Sequence, residues 1–153
     1  MSITYRTLAQ HNLTAFSLSG LVSLETMKVM LGELKTDPDF VWTHDRILFL
    51  HSDTDLSELR MEDFLDVKQA MIKAFIDEEE LRTMARPAYR VAVVCDKPLK
   101  AVAMKLFDAL WKIDNPPLVE AGHFPKAPEA LNWLRGETLP LSEFDEELRG
   151  LET

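Results

Sequence analysis

One cysteine, Cys95, stands in a chain of 153 residues, which excludes an internal disulfide and any metal centre built on paired thiolates. Glycine is scarce at five residues, and none forms a Gly-x-Gly-x-x-Gly run, a Gly-Lys-Ser/Thr loop or a Gly-x-Ser-x-Gly elbow. A phosphate-cradling loop and a hydrolase nucleophile turn are therefore absent. Basic residues are also few, 17 Lys and Arg against 26 Asp and Glu for a net charge of −9. An acidic surface without a basic stripe repels a nucleic-acid backbone and an anionic leaflet alike. No apolar run approaches the roughly 20 residues that span a bilayer. The four histidines, His11, His44, His51 and His123, form no His-x-x-x-His pair, so a zinc site has no support. No cofactor is expected.

What the chain does have is an ordered alternation of patterns. Strand-like runs fall at Ile3–Leu8, Leu13–Ser19, Arg46–Leu50, Arg90–Cys95 and Leu118–Ala121. Helical periodicity predicts helices over Leu24–Thr36, Met61–Ala85, Pro98–Lys112 and Pro128–Arg135. Strand–helix alternation implies a mostly parallel sheet, because each crossover returns the chain to the same sheet edge. Only the first two strands, four residues apart, can form an antiparallel hairpin. The expectation is an α/β domain with a mixed five-stranded sheet over residues 1–136. Ser23 is positioned to cap the first helix, and Asp37-Pro38 to stop it. The acidic run Asp77-Glu78-Glu79-Glu80 marks where the second helix turns outward or a short new helix begins. Val93 and Trp133 are expected in a filled core.

Residues 137–153 form an acidic tail with six acids against one base. Within it Leu141, Phe144, Leu148 and Leu151 recur at helical spacing behind a capping Ser142. Such an amphipathic segment either folds back on its own domain or docks on a second copy or another protein. The amino-terminal run enters a strand directly and has no apolar signal core, so a cytoplasmic protein is expected.

Several motifs resemble those of the bacterial SpoIIAA-like, or STAS-like, family. They are the strand Tyr89-Arg90-Val91-Ala92-Val93-Val94-Cys95-Asp96, the segment Met104-Lys105-Leu106-Phe107, and Phe124 followed by Glu129-Ala130-Leu131-Asn132-Trp133-Leu134. The resemblance spans roughly residues 1–135, and it implies a fold more than an activity. In anti-sigma factor antagonists of this fold, a serine after the third strand is phosphorylated by a partner kinase, typically within Asp-Ser-Ser-Gly. The matching stretch here, His51-Ser52-Asp53-Thr54-Asp55-Leu56-Ser57, keeps a hydroxyl, lacks the glycine and is flanked by acids. Ser52, Asp53, Thr54 and Ser57 are thus the candidate partner or phospho-switch loop. Related members resemble CRAL-TRIO lipid-binding domains, which implies an apolar ligand as the alternative.

Asp53, Asp55 and Asp96 follow buried strands, and ligands of open parallel sheets bind at the carboxyl ends of strands. They are the candidate ligand or ion site, although Asp at such turns commonly serves as a cap. Cys95 could act as a thiolate if His51 lay beside it, against the simpler reading of a small buried hydrophobe. Five methionines, Met27, Met30, Met71, Met84 and Met104, can fill a core or line an adaptable pocket. The expected role is a non-catalytic protein-interaction module, working through a protein partner or a homo-oligomer. A carrier or sensor of a small apolar ligand is the second reading, and an enzyme the third.

Overall fold

The computed structural model describes residues 3–8, 11–85, 87–95 and 119–135. The strands are β1 (Ile3–Leu8), β2 (Leu13–Leu18), β3 (Asp45–Leu50), β4 (Tyr89–Val94) and β5 (Val119–Phe124). The helices are α1 (Leu24–Thr36), α2 (Met61–Phe75), α3 (Glu78–Thr83) and α4 (Ala127–Arg135). Predicted helix Pro98–Lys112, residue Asp96, the Met104–Phe107 segment and the whole acidic tail lie outside the described residues.

The five strands pair in sequence order. β1 and β2 are antiparallel, Ile3 facing Leu18 and Leu8 facing Leu13, and every later pair is parallel. Right-handed crossovers that all step across the sheet in one direction place their helices on one face, and α1 and α2 do pack together there. α4 takes the opposite face, over β3, β4 and β5. The alternation of strand side chains divides the core accordingly. Leu13, Ala15, Ile47, Phe49, Ala92 and Val94 point toward α4 and meet Ala130, Leu131 and Leu134. Phe16, Leu48, Val91 and Val93 point toward α1, α2 and α3.

Capping chemistry sets the helix ends. Ser23 Oγ accepts the Thr26 amide at 3.2 Å and begins α1. Asp37 ends it in extended backbone and ties the helix to β1, accepting from Tyr5 Oη at 2.9 Å and Thr7 Oγ1 at 3.1 Å. The predicted helix over Met61–Ala85 is two helices. The chain turns extended at Ile76, whose side chain is buried, and Asp77 restarts it by accepting the Glu80 amide at 2.7 Å. An acidic N-cap suits the positive end of the new helix dipole.

β5 runs three residues beyond its expected end at Ala121. The pairing of Gly122, His123 and Phe124 with β4 outweighs their weak strand propensity. Gly122 serves a close approach, because a Cβ there would sit 3.2 Å from the Trp133 ring and 3.1 Å from Phe124. Trp133 itself is only partly buried. Its ring lies 5.3 Å from Phe124 and under the Arg90 guanidinium, 4.3 Å from the ring centre. Leu134 is the more deeply buried of the Trp133–Leu134 pair.

Val93 has no exposed surface, so Val93→Asp buries an unpaired carboxylate and should cost several kcal/mol, enough to abolish cooperative unfolding near neutral pH. Chemical denaturation reads this directly, and a wild-type midpoint would contradict the placement of the core.

The Asp37 contact generates a pH dependence. The Asp39 amide, followed by the Tyr5 and Thr7 hydroxyls, holds its carboxyl below the usual carboxylate range, against an opposing effect of burial. The resulting stability is present above the unfolded value of about 4 and is lost as pH falls through the lower folded value. Burial, helped by Asp37, pushes the Tyr5 phenol up to about 12, so its contribution is lost as pH rises from about 10 toward that value. Asp37→Asn should be less stable than wild type at pH 7 and should lose less on acidification. Equal losses between pH 7 and pH 3 would contradict this account.

A candidate ligand cleft beneath helix α2

α2 is amphipathic, yet it packs on α1 and stands off the sheet. Of its residues only Phe64 and Lys68 are buried, while Leu65, Val67, Met71 and Phe75 are partly exposed. Beneath it lies a partly open cleft of about 170 Å³. Its floor is the helix-facing side of β2, β3 and β4, from Phe16, Leu18, Leu48, Leu50 and Val91. Met27, Met30 and Leu34 of α1 and Phe64, Val67 and Met71 of α2 close it from above, and Leu56 and Leu59 close one side. The lining is almost wholly carbon. Three thioethers in that wall, from Met27, Met30 and Met71, let it adapt to the shape of a guest.

Arg46 and Lys68 also reach the wall, presenting mainly their aliphatic stems. Arg46 is 5% exposed and stands at the start of the central strand. Its guanidinium carbon lies 3.9 Å from the Tyr89 ring centre, 4.8 Å from that of Trp42 and 5.4 Å from that of Phe40. Nη1 donates to Tyr89 Oη at 2.8 Å and Nη2 to the Trp42 carbonyl at 2.9 Å. Burial pushes the guanidinium down from its ordinary value, with Tyr89 opposing. Burial likewise raises the Tyr89 phenol, against the pull of Arg46. Tyr89 is thus a neutral partner at pH 7, and Arg46 keeps its positive charge. The rings of Trp42 and Phe75 stack at 5.9 Å, joining this cage to the end of α2.

The residues singled out from sequence occupy the opposite, carboxyl end of the strands. Ser52, Asp53 and Ser57 are exposed there. Thr54 is buried, and its hydroxyl donates to the Leu18 carbonyl at 2.7 Å. Asp55 is exposed, and its carboxyl is held below the usual range by the Ser57 hydroxyl and then by the Ser57 amide, which donates to it at 2.9 Å. Its backbone is bonded to Gly20 and Val22, with Gly20 in the left-handed region at φ 65°. No group of three or more His, Cys, Asp or Glu side chains that could hold a metal ion occurs among the described residues.

Cys95 is buried, and His123 Nε2 donates to its carbonyl at 3.1 Å. His51 Nε2 lies 2.6 Å from Ser17 Oγ. A serine beside an imidazole is the beginning of a nucleophile–base pair, but Ser17 is 9% exposed and offers little room for an attacked carbonyl. The contact instead ties β2 to the loop after β3. Ser17→Ala should cost about 1 kcal/mol by removing the hydroxyl that meets the part-buried His51 imidazole. An unchanged unfolding midpoint would remove that structural role.

Sequence reading missed both the cleft and the Ser17–His51 pair, since each joins residues far apart in the chain. Met27, Met30 and Met71, named from the sequence as core or pocket residues, do line the cleft, and Arg46 carried a signal as a charge opening an otherwise apolar central strand.

No protein-family model, curated protein or solved structure matches this chain. Among the described residues no helix is long and apolar enough to cross a membrane.

Proposed function

We propose that the protein is a non-catalytic carrier or sensor of a small apolar ligand, held in the cleft beneath α2. One observation carries the reading. A cleft of about 170 Å³ with an almost purely hydrocarbon lining sits where a native core would ordinarily be filled to crystal-like density. Water gains few hydrogen bonds from such walls, so an apolar guest displaces it favourably. The volume matches dry cavities of about 150 Å³ that take up benzene. The SpoIIAA-like kinship is a proposal resting on the Arg90–Val94 strand and the terminal helix, and its likeness to lipid-binding domains agrees with this role. A protein-interaction role through the loop after β3 is the second reading, favoured by the shared exposure of Ser52, Asp53 and Ser57.

Thermal unfolding with and without saturating benzene tests the first reading. Wild type should gain a few degrees, since about 1 kcal/mol of binding energy moves the midpoint of a domain this size by roughly 2–4 °C. Leu48→Phe, which fills the cleft floor, should fold and lose the response. No shift in wild type, or an undiminished shift in Leu48→Phe, would refute ligand binding at this place.

A further inference from the structure

Three of the seven methionines of the chain, Met27, Met30 and Met71, line the cleft. Met27 and Met30 stand three residues apart on one face of α1, and Met71 comes from α2, which packs against α1. The thioethers therefore belong to the helical wall. The floor facing them carries the Phe16 ring among aliphatic side chains, and α2 adds the Phe64 ring. Methionine ordinarily closes irregular gaps in a core. Here three of them border a gap that stays open.

A wall of plain hydrocarbon ranks guests by the apolar area they bury. Such a wall takes cyclohexane at least as well as benzene, because the saturated ring is the larger and the more poorly hydrated of the two. Sulfur changes that ranking. A polarisable thioether is attracted to the positive edge of an aromatic ring, with the sulfur roughly 5 Å away. A ring guest can also meet Phe16 and Phe64 in the tilted or offset arrangements that aromatic pairs favour. At about 170 Å³ the cleft holds one ring of benzene size, and a guest that fills it meets the α1 and α2 sides of the wall together. The almost wholly apolar lining offers nothing to an ionised substituent.

Building on the apolar-ligand reading, we infer that the guest is a small neutral aromatic molecule of a single ring, and that Met27, Met30 and Met71 select it over a saturated hydrocarbon of the same size.

Headspace partition of benzene and of cyclohexane over solutions of the full chain gives the affinity for each and tests this. Wild type should bind benzene about fivefold or more tightly than cyclohexane. Norleucine in place of methionine keeps the length of the side chain and removes only the sulfur, and the chain so labelled should bind the two equally or favour cyclohexane. Met27→Leu combined with Met71→Leu changes two half-buried positions with little change of volume, and should lose most of the preference. It carries the test if the norleucine chain fails to fold. Equal affinities in wild type, or a preference for benzene that survives in both altered chains, would overturn the aromatic assignment and leave the apolar reading standing. Binding of neither probe would overturn both.

Discussion

The burial of the Arg46 guanidinium at the start of the central strand is the constraint around which one end of the structure is arranged. A charge with so little exposure needs hydrogen-bond acceptors and polarisable neighbours. The segment after α1 supplies the Trp42 carbonyl and the Phe40 and Trp42 rings, and β4 supplies Tyr89. Phe75, at the end of α2, then packs on both Phe40 and Trp42. The connection into β3, the first residue of β4 and the last of α2 are thereby gathered about one side chain. Once α2 is anchored through Phe75, its distance from the sheet depends on the thickness of that aromatic layer.

The two faces of the sheet are built from different side chains. Toward α4 they include Ala15, Ala92 and Gly122, small enough for Ala127 and Ala130 to approach closely. Toward α1 and α2 they are larger, and they meet rings and thioethers from the helices above. Close-packed interiors seldom keep space greater than a water molecule. The cleft lies on one face of the sheet, opposite a filled layer on the other.

Much of the fold was legible in the residues. α1 was predicted to the residue, because Ser23 and Asp37 are local signals whose hydrogen bonds form within a turn. β3 was read as a central strand from its continuous apolar run, and it lies third of five. The break in the second helix was foreshadowed by Asp77 and the glutamates after it, although the periodicity of the apolar residues ran straight through it. β5 was read too short, since Gly122 and His123 have little strand propensity and their place depends on pairing with β4.

The candidate site was much less legible. Attention fell on Ser52, Asp53, Asp55 and Asp96, following the tendency of parallel sheets to bind ligands at the carboxyl ends of strands. The cleft lies between the sheet face and α2, lined by Leu18, Leu50, Leu56 and Leu59 toward the carboxyl ends and reaching Arg46 at an amino end. The sequence by itself determined the element order, the mixed sheet, the helix caps and the apolar faces, because periodicity and capping act over a few neighbouring residues. Only the tertiary structure decided that α2 stands away from the sheet, that Arg46 is enclosed by three rings from two segments, and that Ser17 meets His51. Those outcomes depend on the sizes of side chains brought together from distant parts of the chain, and no local pattern encodes them.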